Sequence, residues 1–316
     1  MKHLLIVNPA AGHCDRTEAI REAARKVFDP RGLDWELQVS QGPGHCRELA
    51  RQAAETGEEL RIYACGGDGT LNEVINGVIG APNVAVTHYP AGSGNDFIKV
   101  FDEPEAFRDL QRLLDCEEAH FDLIRCQDET QTAYSVNICS VGLDARIGTG
   151  VGKYRRLPLV SGKMAYLLSL VENLFKGLHR PYELEINGER ISGNQTLICI
   201  CSGRHYGGSF HPMPDAEPDD GQLDVLVVTP VNLLQVAQVI GRYQKGRYAE
   251  LPHLIRHLKT REIRIMSPGS VINMDGEALH SRDMTFSVEE RKLRFFYPAG
   301  LHYRSKASKR EEIGAI

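Results

Sequence analysis

The stretch CGGDGTLNEV, residues 65–74, sets three glycines, Gly66, Gly67 and Gly69, into a turn between the apolar run LRIYAC (60–65) and a helical pattern. Glycine accepts positive φ and lets backbone approach closely, and the first N–H groups of the following helix point back at the turn. Together they form a cradle for phosphate that needs no lysine. Asp68 stands at the centre of that turn. An anion there would repel a bare phosphate, so the carboxylate fits the chemistry if it meets a metal carried by the ligand or handles a proton. Thr70 and Glu73 have capping-box spacing, and Leu71, Val74, Ile75 and Val78 recur on one helical face.

Strand, turn and helix repeat on both sides of this stretch. HLLIV (3–7) precedes DRTEAIREAARKVF (15–28), in which Ile20, Ala23, Ala24 and Val27 share a face; WELQV (35–39) precedes GHCRELARQAAETG (44–57), with Cys46, Leu49, Ala50 and Ala53 doing the same. VAVTHY (84–89) follows. Such alternation predicts a parallel sheet covered by helices, with the ligand site at the carboxyl ends of the strands. Two further turns occupy such ends, NPAAG (8–12) and PAGSGND (90–96). Each alone could be a plain connection, but three can converge on one nucleotide.

Beyond residue 118 the runs become short and rich in β-branched and aromatic residues: AHFDLIRC (119–126), PYELEINGERI (181–191), QTLICICSG (195–203), LDVLVV (223–228), EIRIM (262–266), SVINMDGE (270–277) and MTFSVEE (284–290). They predict a mostly antiparallel second domain, with a hairpin at Asn187-Gly188 and helices near 161–177 and 230–244. PDAEPDDGQLDV (214–225) packs Asp215, Glu217, Asp219, Asp220 and Asp224 into one loop, suited to Mg²⁺ or Ca²⁺ or simply to water. In INMDGEAL (272–279), Asp275 and Glu277 lie two apart and share a side if the backbone stays extended, although Asp-Gly also punctuates hairpins.

Bulk properties exclude several functions. A net charge of -5 offers no global basic excess, which argues against nucleic acid as the main partner. The run LLIV (4–7) is too short for an export signal or a membrane span. LPLVSGKMAYLLSLVENLF (157–175) is interrupted by Gly162, Lys163 and Glu172, so it reads as an amphipathic helix and membrane contact as peripheral. The segment 150–175, with Lys153, Arg155 and Arg156, is the candidate for lipid approach. Eight cysteines without a CxxC pair, and histidines without HExxH spacing, point to a reducing compartment and away from a protein-held zinc.

In their order and separation, NPAAG, GGDGTLNEVINGV, PAGSGNDF, DDGQLDV and MDGEAL resemble the diacylglycerol kinase catalytic-domain family, the soluble bacterial lipid kinases, with sphingosine and ceramide kinases as relatives and NAD kinase more distant. The resemblance implies an N-terminal α/β nucleotide-binding domain like that of NAD kinase and a C-terminal β-sandwich, with the active site in the cleft between them. It places the first domain at 1–124, completed by a returning segment at about 291–305, the sandwich at 125–290, and a frayed tail at 306–316. ATP and Mg²⁺ are the implied cofactors. Matched position by position, Asn8, Pro9, Ala10, Ala11, Gly12, Ser40, Gly66, Gly67, Asp68, Gly69, Thr70, Leu71, Asn72, Glu73, Ser93 and Asp96 resemble the nucleotide contacts. Asp220 resembles a Mg²⁺ ligand, completed by the carbonyls of Glu217 and Gln222, and Glu277 and Asp275 resemble the catalytic acidic pair, with Asp68 a rival for the base. Two departures stand out: His13 where Lys or Arg is common, and Ser40 where Thr is frequent. The implied reaction is phosphorylation of a membrane lipid at the bilayer surface by a cytoplasmic enzyme peripherally associated with the inner face, diacylglycerol being the leading acceptor. Another hydroxyl lipid, NAD, or a nucleotide-binding regulator without turnover remain alternatives, and homodimerisation stays open.

Overall fold

The computed structural model describes residues 1–155, 164, 168, 169, 172, 173 and 176–304. The chain forms two compact units, the first comprising Met1–Leu123, Glu217–Asp219 and Glu289–Ile316, the second Ile124–Ala216 and Asp220–Val288.

The first unit begins with β1 (Lys2–Val7), α1 (Thr17–Phe28), β2 (Trp35–Val39), α2 (His45–Ala54), β3 (Leu60–Gly66), α3 (Asp68–Val78), β4 (Val84–Pro90), a short α4 (Leu110–Leu114) and the start of β5 (Cys116–Gln127). The strands run parallel in the order β2-β1-β3-β4, with Val7 opposite both Val39 and Cys65, and Gly66 opposite Pro90. An inner strand of a parallel sheet covered on both faces is apolar throughout, as Leu4, Leu5, Ile6 and Val7 of β1 are, all buried, whereas the edge strand β2 is half-buried along its length. The shared register ends β1, β3 and β4 level with one another, so the three glycine turns leave the sheet from the same edge. RKLRFFYP also lies in this unit, where Phe295 pairs with Val86 of β4. Phe295 sits in an aromatic cluster with ring centroids 5.3 Å from Phe97 and 5.6 Å from Phe121.

The second unit contains the end of β5, β6 (Thr132–Ser135), β7 (Ile138–Gly142), α5 (Leu143–Arg155), β8 (Arg180–Ile186), β9 (Glu189–Gln195), β10 (Leu197–Cys201), β11 (Leu223–Val228), α6 (Leu233–Tyr243), β12 (Ile255–Thr260), β13 (Glu262–Met274) and most of β14 (Glu277–Pro298). Its pairings are antiparallel, in the order β12-β11-β10-β7-β13-β14, with β8 on β13 and β9 on β8. β10 alternates between two cores. Ile198 and Ile200 join Val225, Val227 and Phe286 inside the sandwich, whereas Leu197, Cys199 and Cys201 face a layer containing Val236, Val239 and Tyr243 of α6. Buried on both faces, it is apolar at every position.

The Asn187-Gly188 hairpin is present, with φ of +51° and +77° and Ile186 paired to Glu189. α6 opens on a capping box between Asn232 and Gln235. The separate runs EIRIM and SVINM, however, form one strand, β13. Pro268-Gly269 reads as a break in sequence but makes a bulge between Met266 and Ser270, across which the ladder resumes. The expected helix near 161–177 and the tail 306–316 lie mostly or wholly outside the described residues.

Candidate active site

In the first unit the three glycine turns interlock. Gly66 O, at the end of β3, accepts hydrogen bonds from Ala91 N at 2.8 Å and Gly92 N at 3.0 Å in the turn after β4. A Cβ on Gly92 would fall on Gly67 Cα, and one on Gly67 would lie 3.3 Å from Gly92 Cα, so these two backbones touch because neither residue has a side chain. Gly12 closes the turn after β1 at φ +79°, where a Cβ would meet Ala91 O. Asn8 completes the arrangement: its Oδ1 accepts from Ala10 N at 3.0 Å while its Nδ2 donates to Thr70 Oγ1 at 3.0 Å.

Asp68 ties two of these turns together. It opens α3, and its carboxylate accepts from Asn95 N at 2.8 Å and Asp96 N at 2.5 Å. The loop can present both N–H groups because Asn95 adopts φ +51° and its amide clasps Gly92 through bonds of 3.2 and 2.9 Å. Asp96 is buried and paired with Lys99 at 2.5 Å. Changing Asp68 to Asn sets an amide donor against a backbone donor. It is expected to lower stability by about 1–3 kcal/mol; an unchanged urea midpoint would show that these bonds hold nothing together.

Glu73 does not form the capping box expected with Thr70. α3 starts two residues before Thr70, with Gly67 as its N-cap and no side-chain cap, which places Thr70 inside the helix. The Glu73 carboxylate instead accepts from Gly44 N at 2.8 Å and Cys46 N at 3.0 Å, capping α2 from a neighbouring helix. Glu73→Ala is expected to cost about 1–2 kcal/mol, and Glu73→Gln less, since the amide oxygen still accepts one bond; chemical denaturation of both variants checks the ranking. Leu71 and Asn72 are buried, as is Ser40, whose N–H donates to Val7 O at 2.8 Å. Of the residues carried over from the family, Gly12 and Ser93 are exposed, Asn8, Pro9, Ala11, Gly67, Asp68 and Gly69 are half-buried, and Ala10 stands at the surface. His13 is exposed beside them.

His88 was not singled out in sequence because VAVTHY reads as a plain core strand. It is fully buried beneath the turn, with Nε2 3.0 Å from Gly66 O, so this nitrogen carries the proton and donates to the carbonyl that also holds Ala91 and Gly92. Burial pushes its pKa from 6.5 down to about 4, and Nδ1 finds no partner among the described residues. Between these pH values the unfolded chain binds the extra proton, so the stabilisation is present above pH 6.5 and lost as pH falls toward 4. The midpoint of urea unfolding should drop across that window, and less so in a folded His88→Gln variant.

In the second unit, Asp275 and Gly276 have φ of +48° and +97° and form the two-residue turn joining β13 to β14, with Met274 paired to Glu277. The extended backbone that would set Asp275 and Glu277 on one side is therefore absent. Hairpin geometry wins because Asp-Gly supplies both left-handed positions. The Asp275 carboxylate accepts from Val136 N and Ile138 N, both at 3.0 Å, and so fastens the hairpin to the start of β7. Glu277, at the far end of the turn, is exposed.

The acidic loop divides between the units. In the second, Asp220 accepts from Gln222 N at 3.0 Å and pairs with Lys259 at 2.9 Å, while Asp224 takes His257 at 2.6 Å. In the first, Asp219 accepts from Tyr303 Oη at 3.1 Å and from both Arg304 terminal nitrogens, and Glu217 lies 3.6 Å from Arg304. Among the described residues no three His, Cys, Asp or Glu side chains converge to hold a metal. Asp220, which the family resemblance gives as a Mg²⁺ ligand through its side chain, is the partner of Lys259 here.

Residues 2–126 match the model of the diacylglycerol kinase catalytic domain, and residues 137–297 match that of the YegS C-terminal NAD kinase beta sandwich-like domain. The chain belongs to the diacylglycerol kinase catalytic-domain family. A relative from Staphylococcus carnosus named "Putative lipid kinase" is 26% identical over 241 residues, spanning 75% of this chain and 76% of its own. Another of that name from Staphylococcus epidermidis is 25% identical over 248 residues, 76% of this chain and 78% of its own. Among solved structures, a "putative diacylglycerol kinase" from Bacillus anthracis superposes with a TM-score of 0.70 at 21% identity, covering 94% of this chain and 97% of that one. A second structure from that organism, described as a diacylglycerol kinase, gives 0.65 at 18% identity, covering 94% and 97%. At those identities the structures establish the fold. Membership in this family implies a phosphotransferase that uses ATP. No helix among the described residues is long and apolar enough to cross a membrane.

Proposed function

We propose that the protein transfers the γ-phosphoryl group of Mg·ATP to the free hydroxyl of diacylglycerol, giving phosphatidic acid, and meets this lipid at the bilayer surface. The observation that carries the reading is the interlock of three glycine turns at the carboxyl ends of β1, β3 and β4. It brings the three turns into contact beside the amino end of α3, where the first helical N–H groups, lacking partners within the helix, favour an anion. Turns that close on one another in this way suit a polyphosphate, which needs several donors at once.

Each named residue then has a task. Gly12, Gly67 and Ser93 border the phosphates. Asp68 and Asn95 hold the turns at the required spacing, and Asn8 orients Thr70. Asp275 positions the hairpin that presents Glu277, and Glu277 takes the proton of the acceptor hydroxyl as its oxygen bonds to phosphorus and the bond to ADP breaks. Mg²⁺, when bound with the nucleotide, neutralises charge on the phosphates. The test is to offer γ-labelled ATP with diacylglycerol, phosphatidylglycerol, sphingosine and NAD in parallel and separate the products. Label appearing chiefly in phosphatidic acid supports the reading; label in another product reassigns the acceptor, and label in none removes the kinase assignment.

A further inference from the structure

The second unit carries a second concentration of charge, apart from the residues given roles above. A cavity of about 400 Å³ is lined by Arg146, Thr149 and Lys153 of α5, by Lys176 and Arg180 before and at the start of β8, and by Val271 of β13. Among its described lining residues are four cations and a single carboxylate, Glu172, in a chain whose net charge is -5. Glu172 is already engaged by Lys176 at 2.7 Å, Lys153 at 3.1 Å and Tyr154 Oη at 2.5 Å. Neither arginine has an acidic partner among the described residues. Arg146 donates to the carbonyls of Gly177 at 2.8 Å and Gly142 at 3.4 Å, and its Nη1 is buried without a partner among the described residues. Arg180 donates to the carbonyls of His179 at 3.0 Å and Lys176 at 2.6 Å. Both guanidinium groups border Gly177, since a Cβ there would lie 2.9 Å from Arg180 Nη1.

Two guanidinium groups that border the same turn and donate to neutral carbonyls repel one another unless an anion offsets their charge. Burial and the neighbouring charge of Arg180 both disfavour the charged form of Arg146. A fork of planar donors matches the oxygens of a phosphate, and the two lysines at the rim suit its second negative charge. We propose that this cavity binds a phosphomonoester between Arg146 and Arg180.

The site draws only on residues of the second unit, so its test does not depend on turnover. Binding is measured on the full chain with inorganic phosphate by calorimetry, and by sedimentation with phosphatidylcholine vesicles with or without phosphatidic acid. Glycine-turn binding is separated by repeating each measurement in Arg180→Gln and Lys176→Gln, whose side chains lie at the surface, as well as in Arg146→Gln. Each arginine variant is expected to lose affinity by about tenfold or more, and Lys176→Gln by less. Loss in the inorganic phosphate arm identifies a soluble phosphate as sufficient, and loss only with phosphatidic acid vesicles identifies a lipid headgroup. Binding in neither arm, or binding that all three variants retain, would overturn the proposal.

Discussion

Replacing Gly67 with valine is expected to abolish ATP-dependent turnover while leaving a folded protein. The backbone at Gly67 is extended, with φ -100° and ψ -167°, so valine meets no conformational barrier. Its effect comes from space. A Cβ already lies 3.3 Å from Gly92 Cα, and two γ-methyl groups extend further toward the turn after β4. That turn must withdraw, breaking the bonds from Ala91 N and Gly92 N to Gly66 O and moving the loop that Asp68 holds. The loss concerns the arrangement of phosphate donors, and misplacement by about 1 Å is enough to cost 10²-fold in rate. Circular dichroism should report a native-like spectrum. Wild-type ATP affinity in that folded variant would remove the glycine turns from the site.

Glu277→Gln is expected to reduce turnover by about 10²-fold or more with ATP affinity and thermal stability unchanged. Glutamine keeps the size and most hydrogen bonding of the side chain but cannot accept a proton. Glu277 is exposed at the tip of the β13–β14 hairpin, so the substitution perturbs no core. Its neighbour Asp275 is different, because its carboxylate anchors the hairpin through Val136 N and Ile138 N. Asp68 remains the competing base. If Glu277→Gln retains turnover while Asp68→Asn binds ATP normally and is inactive, the proton goes to Asp68.

The sequence disclosed the strands, the three turns and their common end, because parallel strands buried on both faces must be apolar throughout and glycine is conspicuous where backbones touch. It also showed the hairpin at Asn187-Gly188, where two left-handed residues leave few alternatives. What it concealed was long-range. Nothing local says that Glu73 caps α2, that Asp68 binds the N–H groups of Asn95 and Asp96, or that His88 donates to Gly66 O. These partners lie 22 to 29 positions apart in the chain. Pro268-Gly269 misled for another reason: a bulge and a strand end use the same residues, and only the pairing partner tells them apart. For Asp275 and Glu277 the sequence left two readings, a shared side on an extended strand or an Asp-Gly hairpin, and positive φ at Asp275 and Gly276 makes it the hairpin.

The account's central claim is that three separate turns make one nucleotide site. Hydrogen–deuterium exchange with and without Mg·ATP tests it most directly, because the amides proposed to face the phosphates are themselves the reporters. Added Mg·ATP should slow exchange together in residues 8–12, 66–70 and 90–96, with Gly67→Val showing no such protection. Protection that leaves 66–70 untouched, or that appears only elsewhere in the chain, would contradict the claim.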